Sequence, residues 1–314
     1  MRQRSTAPVQ LTTGPIKWDR PIPGKDGKKI FATGMTPRGE LSRYDGRSKQ
    51  FQPFLKGVSA EGVAFSKDGQ SVAYVTYPEG ILWKANRDGS NPVQLSDPPM
   101  YAMNPRWSPD GAQIVFTDVA SPLRTLSYIV PPDGGSARRL MPNDNGNQAD
   151  PIWSPDGKRI VFAAGEFGDP KNQDLRILDT ESGQITVVPG STGVESPRWS
   201  PDGRTIAALS WTAQGLTVFD METQRWTILV TKGDVDYPAF SSDSQFVYFL
   251  RAGHDQGVYR VRVKGGEPER VVDLKDWHMT GYFTFWMGLD PADAPMLLRD
   301  NGTSDIYALT LGVE

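Results

Sequence analysis

The sequence contains no cysteine and only two histidines among its 314 residues. Without cysteine there can be no disulfides, thiolate nucleophiles, cysteine–zinc sites or iron–sulfur clusters, and the redox compartment stays open because such a chain suits either side of a membrane. The histidines, His254 and His278, do not stand at a metal-ligand spacing such as H-E-x-x-H. The sequence therefore predicts no metal site built from histidine or cysteine.

Other features are also missing. The chain has 34 Lys and Arg against 37 Asp and Glu, a net charge of -3, so no basic field favours nucleic acid. No stretch approaches the ~18 consecutive apolar residues of a membrane span, and we predict no membrane insertion. Residues 1–8 lack the apolar segment of a secretory signal, which indicates either a cytoplasmic protein or a part of a longer one.

What the sequence does contain is a repeat. The phrase Trp-Ser-Pro-Asp-Gly occurs at 107–111, 153–157 and 199–203, each time after a proline two residues before the tryptophan and before apolar residues spaced by two, as in a β-strand. With degenerate copies included, its aspartate stands at positions 26, 68, 110, 156, 202 and 243, and a weaker unit follows at 285–291. The intervals of 42, 42, 46, 46 and 41 match the ~40 to 45 residues of a four-stranded propeller blade.

These spacings predict an all-β fold, with residues 1–314 forming a single domain. We expect a seven-bladed β-propeller of four-stranded blades, with six blades as the alternative if the last unit is an extension. The predicted repeats lie near 20–55, 61–97, 103–141, 149–189, 195–230, 236–273 and 282–312. The last lacks a fourth strand, and residues 8–12 read like 92–96, so the N-terminal strand is expected to complete it and remove an open sheet edge.

The recurring residues have a structural interpretation. Tryptophan fills space between blades, proline presets the turn, aspartate accepts backbone hydrogen bonds, and glycine adopts the left-handed conformation. A catalytic residue has no reason to recur around a ring. We therefore assign a structural role to the repeat residues Trp107, Asp110, Trp153, Asp156, Trp199 and Asp202.

A second set of residues stands one or two places before the repeated proline or its equivalent. It comprises Asp19, Glu61, Asn104, Asp150, Glu195 and Asp236. In a propeller these positions meet at one mouth of the central channel, where five carboxylates would attract a cationic group, a Lys- or Arg-bearing peptide or Ca²⁺. The alternative is that they accept hydrogen bonds from loop amides and face water.

An aromatic patch in the last unit has a similar ambiguity. Its members are Trp277, Tyr282, Phe283, Phe285, Trp286 and Met287. Most of it is expected in the core of the closing blade, and an exposed remainder would mark a partner site.

No catalytic site is predicted. The sequence lacks a G-x-S-x-G nucleophile elbow, a G-x-x-x-x-G-K-[ST] loop and a G-x-G-x-x-G turn. We expect a non-catalytic, monomeric module without cofactor that binds a protein or peptide. The alternatives are a sensor of small ligands, carbohydrate or Ca²⁺, and a propeller hydrolase or lyase, which would need His254 or His278 beside a carboxylate in the channel.

The phrase Pro-Arg-Trp-Ser-Pro-Asp-Gly, at 105–111 and 197–203, resembles the WD-like repeat of TolB-type propellers. Residues 77–83, 266–271 and 298–309 are similar to the C-terminal propeller regions of bacterial, especially acidobacterial, winged-helix or Ser/Thr-kinase regulators. This resemblance implies a sensory or protein-interaction module of a larger regulator, in the periplasm or elsewhere outside the cytoplasm. A cytoplasmic location stays open.

Overall fold

The computed structural model describes residues 10–14, 16–121, 124–166, 169–211, 215–231 and 233–310. Within these ranges there are 27 strands, β1 to β27, and one short 3-10 helix at Leu55–Gly57. The chain divides into two compact units. The described parts of residues 1–38 and 300–314 form the first unit, and residues 39–299 form the second.

The first unit holds a three-stranded antiparallel sheet. Its strands, in spatial order, are β1 (Lys17–Pro23), β2 (Lys29–Thr36) and β27 (Thr303–Thr310). Trp18 meets Tyr307 edge-to-face, with ring centroids 5.1 Å apart. Most of the sheet is open to solvent, and Ile306 is 81% exposed.

The second unit contains six four-stranded antiparallel sheets. Five of them are built from consecutive strands. The first sheet consists of β5 (Ala60–Phe65), β6 (Ser71–Thr76), β7 (Leu82–Asn86) and β8 (Val93–Gln94), and the second of β9 (Ala102–Trp107), β10 (Ile114–Ser121), β11 (Arg124–Val130) and β12 (Arg138–Arg139). The third consists of β13 (Gln148–Trp153), β14 (Arg159–Gly165), β15 (Gln173–Asp179) and β16 (Ile185–Val187), and the fourth of β17 (Val194–Trp199), β18 (Thr205–Ser210), β19 (Gly215–Asp220) and β20 (Arg225–Val230). The fifth consists of β21 (Val235–Phe240), β22 (Phe246–Arg251), β23 (Gly257–Arg262) and β24 (Glu269–Asp273).

The sixth four-stranded sheet joins distant parts of the sequence. Its spatial order is β25 (Met287–Leu289), β26 (Pro295–Asp300), β3 (Gly39–Asp45) and β4 (Gln50–Pro53).

The core lies between neighbouring sheets. Second strands are apolar on both faces because a sheet packs on each side, and Ile114, Val115 and Phe116 of β10 are all fully buried. The first strands β5, β9, β13, β17, β21 and β25 contact one another in this order, and β25 also contacts β5. We call these six first strands the innermost strands, and their cyclic order is consistent with a β-propeller.

Strand pairing at the ends of the sequence differs from the prediction. The predicted first repeat, 20–55, is divided, because β2 pairs with β1 and β27 while β3 and β4 complete the sheet of β26. In this arrangement Leu41 in β3 is fully buried, whereas the residues of β27 are almost all exposed. In the predicted closing strand 8–12, residues 8 and 9 lie outside the described residues, and residues 10–12 belong to no strand.

Candidate functional site

A β-bulge lies near the start of most innermost strands. The pairing register shifts between Glu61 and Ala64 in β5, and at the corresponding places in β13, β17 and β21. One residue near each shift, and one in β9, has a left-handed φ of 48° to 64°; these are Gly62, Asn104, Asp150, Ser196 and Tyr237. A bulge bends the strand and redirects its side chains, so residues from two successive positions reach the same end of the innermost strands, the end at which these strands start.

Four of the six predicted residues line one cavity at this end. The cavity has a volume of about 230 Å³, and Asn104, Asp150, Glu195 and Asp236 are in its wall. We call these four residues the acidic mouth. Other side chains of the wall include Gln173, Ser196, Arg198, Trp211, Tyr237, Tyr282 and Phe283.

Asp150 is the best-satisfied carboxylate of the acidic mouth. The Asn104 amide donates to its Oδ1, and the Ser196 hydroxyl donates to its Oδ2 at 2.9 Å. The Nη1 atom of Arg198, a residue only 7% exposed, lies 3.7 Å from the same Oδ2. Asp150 is therefore held in place by groups on the two neighbouring innermost strands, β9 and β17.

Glu195 and Asp236 form no ion pair among the described residues. The Gln173 amide donates to Oε2 of Glu195 at 3.0 Å, the Trp211 side chain also donates to Glu195, and the backbone N–H of Tyr237 donates to Oδ1 of Asp236 at 2.8 Å. The charge of Arg198 favours the ionised form of Asp236. Burial nevertheless raises the pKa of both carboxyl groups, and the negative charge of Asp150 acts in the same direction. A cationic group in the cavity would favour their ionised forms.

Glu61 and Asp19 are not in the cavity wall. Glu61 is 4% exposed and accepts a hydrogen bond at 3.1 Å from the backbone N–H of Tyr282, and its burial raises the pKa to about 7. Asp19 belongs to the sheet of the first unit; its side chain is 54% exposed and lies 3.4 Å from Arg20. Of the six residues predicted to share one mouth, the structure thus brings four to one cavity, and Asp19 and Glu61 are not among them.

The repeated phrase forms the turns at the opposite ends of the innermost strands. In the turn after β13, the Ser154 hydroxyl donates to Oδ1 of Asp156 at 2.5 Å and accepts a hydrogen bond from the Arg159 backbone N–H at 3.0 Å. Equivalent serine–aspartate hydrogen bonds hold Asp110 at 2.5 Å and Asp202 at 2.6 Å. These aspartates are placed to hold their own turns.

The three repeat tryptophans pack between sheets. The Trp107 indole donates to the Ala64 carbonyl on the preceding innermost strand at 3.1 Å, and that of Trp199 donates to the Gly203 carbonyl at the same distance. Trp153 packs against the core cluster of Ile160 and Phe162. These contacts fit the structural interpretation of the phrase.

Neither histidine lies in the cavity wall. His254 and His278 are both exposed. The described residues hold no group of three or more histidine or acidic side chains placed to bind a metal ion. In the same part of the chain, no helix combines the length and apolar character needed to cross a bilayer.

Sequence reasoning did not identify Gln173, Ser196, Arg198, Trp211 or Tyr237 as members of the site. Two of them had a detectable signal: Ser196 and Tyr237 directly precede the repeated proline, and bulges place such residues at the channel end. Gln173 and Trp211 lie beyond the innermost strands, so the repeat phrase gives no signal for them.

Comparison with known proteins agrees with this architecture. Residues 42–275 match the family described as the TolB beta propeller domain. A TolB homolog from Chlorobium chlorochromatii is 28% identical over 187 residues, which are 57% of this chain and 40% of that protein. The chain thus spans about two fifths of that relative's length.

Solved structures share the fold at low identity. A provisionally named TolB from Agrobacterium tumefaciens aligns with a TM-score of 0.66 and 20% identity, covering 84% of this chain and 98% of that one. Oligogalacturonate lyase from Vibrio parahaemolyticus aligns with a TM-score of 0.56 and 13% identity, covering 92% of each chain. By the family match over most of its length, the chain belongs to the TolB beta propeller domain family.

Proposed function

We propose that this chain is a non-catalytic, monomeric TolB-like propeller that binds a protein or peptide through a cationic group at the acidic mouth. The observation that carries the proposal is the convergence of Asp150, Glu195 and Asp236 on one cavity of about 230 Å³. Around it we place a ring of six blades, one for each four-stranded sheet of the second unit, in support of which the innermost strands contact one another in cyclic order.

The electrostatics explain why a cation should bind. Burial raises the pKa of Glu195 and Asp236, because their ionised forms lose part of their hydration in the cavity. An ammonium or guanidinium group entering the cavity supplies the missing countercharge and hydrogen-bond donors. Trp211, 46% exposed, and Phe283, also 46% exposed, offer aromatic faces to the rest of a peptide.

The absence of catalysis is part of the proposal. Among the described residues, His254 and His278 are exposed and outside the cavity wall. A lyase is among the structural neighbours, but at 13% identity that likeness concerns the fold. In this proposal the carboxylates are the only groups of the cavity that could act as a general base, and their role is to bind the cation.

The test is a peptide-display selection on the wild-type propeller at low ionic strength. Selected peptides are expected to contain lysine or arginine, and the double variant Glu195→Gln, Asp236→Asn should bind them at least tenfold more weakly. Glu222→Gln, which changes an exposed turn carboxylate, is the matched control and should bind as the wild type does.

Two results would contradict this function. Peptides without lysine or arginine that bind the wild type and the double variant equally would remove the acidic mouth from the site. Saturable binding of Ca²⁺ or of a sugar, with no peptide selected, would instead support the alternative of a small-ligand, carbohydrate or Ca²⁺ sensor.

We further propose that the chain works as a sensory module of a larger bacterial regulator, outside the cytoplasm. The resemblance of residues 77–83, 266–271 and 298–309 to such regulators supports this. Immunodetection in fractions of source cells tests both statements. A band of about 35 kDa confined to the cytoplasm would contradict them, since the chain itself has a mass of 34.6 kDa.

A further inference from the structure

A second cavity opens at the other end of the innermost strands, beside the repeated turns. Its volume is about 500 Å³, and it includes Arg106 of β9 and Arg198 of β17. Aromatic and apolar side chains surround these two cations, among them Phe65, Trp107, Ile152 and Trp153. We call the cavity, with Arg106 and Arg198, the arginine pocket.

The two arginines are exceptional among the equivalent positions. Neighbouring innermost strands carry smaller or apolar residues there, namely Ala64, Ile152 and Ala239. The two arginines line this cavity together with Ala64 and Ala239, whose short side chains occupy little of its space. Shape and charge thus coincide at one place in the channel.

The guanidinium group of Arg106 is less well compensated than that of Arg198. In the described part of the chain, Arg106 donates to the carbonyl of its own neighbour Pro105 at 2.8 Å, and Arg198 likewise donates to Pro197 at 2.8 Å. Asp150 lies 3.7 Å from Arg198 and already accepts hydrogen bonds from Asn104 and Ser196. The charge of Arg198 also acts on Asp236, whereas Arg106 forms no ion pair with any carboxylate in the described part of the chain.

Burial has a measurable consequence for Arg106. Loss of hydration, followed by the positive charge of Arg198, lowers the pKa of Arg106 to about 9. At neutral pH the group is still a cation, because arginine retains its proton well above pH 7. An anion bound between the two arginines would accept hydrogen bonds in place of the lost water and would offset the repulsion between the two positive charges.

The acidic side chains of the same cavity are already engaged. Asp290 is 3% exposed, and Nε of Arg43 donates to its Oδ2 at 2.5 Å. Asp293 accepts a hydrogen bond from the Ser242 backbone N–H at 2.7 Å. Both carboxylates therefore bind partners other than Arg106 and Arg198, and the two arginines can bind a ligand.

We propose that the arginine pocket binds an oxyanion, a carboxylate or a phosphate, attached to a flat apolar group. Arginine donates through a planar fork that matches both oxyanions. The aromatic wall would receive the apolar part of the ligand. This site is separate from the acidic mouth, although Arg198 is in the wall of both cavities.

Tryptophan fluorescence titration tests the proposal, because Trp107 and Trp153 are in the pocket wall. The probes are benzoate, phenyl phosphate and the neutral benzamide, at constant ionic strength. Saturable binding of at least one anion and at least tenfold weaker binding of benzamide are expected. The benzoate and phenyl phosphate arms distinguish a carboxylate ligand from a phosphate ligand.

Variants locate the site. Arg106→Met and Arg198→Met should each weaken anion binding at least tenfold, whereas Arg204→Met, at an exposed arginine, should change it less than twofold. If either methionine variant fails to fold, Asp150→Asn gives an independent test, since loss of the competing carboxylate should tighten anion binding severalfold.

Three results would overturn the proposal. They are equal binding of benzoate and benzamide, unchanged anion binding by folded Arg106→Met or Asp150→Asn, and no binding of either anion by the wild-type protein.

Discussion

Carboxylates at the two ends of the innermost strands lie in opposite environments. At the turn end, the serine hydroxyls lower the pKa of Asp110 and Asp156, with backbone N–H groups acting in the same direction. At the other end, where the acidic mouth lies, burial raises the pKa of Glu195 and Asp236. The same functional group therefore holds a turn at one end, whereas at the other end its ionised form is disfavoured by burial.

Supply of hydrogen-bond donors explains the difference. Each turn aspartate stays in water and receives bonds from a hydroxyl and an amide of its own loop. Glu195 and Asp236 of the acidic mouth have lost water, and the donors that replace it do not offset the loss. Solvent exposure thus separates the carboxylates of the turns from these two.

The largest expected effect comes from the scaffold. Trp199 is 5% exposed, its indole donates to the Gly203 carbonyl, and the Arg159 guanidinium lies 4.9 Å from its ring centroid. Trp199→Ala should lower the free energy of unfolding by ~3 to 5 kcal/mol, because a buried tryptophan leaves a large cavity. Urea denaturation followed by circular dichroism measures it.

Trp211→Ala is the matched control, since Trp211 is 46% exposed and lines the acidic mouth. It should cost less than about 1 kcal/mol of stability and weaken peptide binding. Similar losses of stability from both variants would contradict the division between scaffold and site.

The second prediction concerns pH. The pKa of Glu61 is about 7 in the folded protein against 4.5 as its ordinary value, so between these values the folded state binds more protons than the unfolded state. Stability should therefore fall as pH rises from about 4.5 to 7. Glu61→Gln should remove this fall and raise the unfolding free energy at pH 8 by up to about 3 kcal/mol.

Denaturation of both proteins at pH 4 and pH 8 provides the measurement, and their difference at pH 4 should be small because Glu61 is then protonated. A Glu61→Gln variant that is less stable than the wild type at pH 8 would show that the ionised carboxylate stabilises the loop at Tyr282.

The third prediction removes a turn hydrogen bond. Ser154 is 1% exposed, and its hydroxyl serves both Asp156 and the Arg159 backbone N–H. Ser154→Ala should cost ~1 to 3 kcal/mol at pH 7, because a buried N–H loses its acceptor. Since the hydroxyl lowers the pKa of Asp156, part of this stability is lost on acidification through that pKa in the wild type.

The cost of Ser154→Ala should therefore be smaller at pH 2 than at pH 7, as measured by urea denaturation at both values. Ser182→Ala is the control, because Ser182 is an exposed serine that donates to Asp179 at 2.8 Å. Equal losses from both serines would mean that burial of the turn hydroxyl has no part in its effect.

The repeat predicted the strands of residues 60–273 because its period and its apolar alternation recur within one chain segment. Pairing at the chain ends was not predictable in the same way. The sheet containing β26 takes 39–45 as its third strand, whereas 303–310 pairs in the sheet of the first unit, and both segments contain apolar residues. Such pairing between distant segments leaves no local pattern in the sequence.

For the candidate site, position relative to the repeated proline singled out Asp150, Glu195 and Asp236, which line one cavity in the structure. It could not separate residues at the bulge from those before it, nor find Gln173 and Arg198, whose places depend on neighbouring sheets. The same rule also selected Asp19, whose proline phrase lies in the sheet of the first unit.

Asp19 consequently gives the smallest expected effect. It stands 3.4 Å from Arg20, and the two side chains are 54% and 85% exposed, so water screens the pair. Asparagine can still accept the hydrogen bond that the Arg20 backbone N–H donates to Oδ1 at 2.8 Å. Asp19→Asn should change the free energy of unfolding by less than about 0.5 kcal/mol and leave peptide binding at the wild-type level, as measured beside Asp236→Asn. If both variants weakened binding alike, net charge and not the buried geometry of the acidic mouth would govern the interaction.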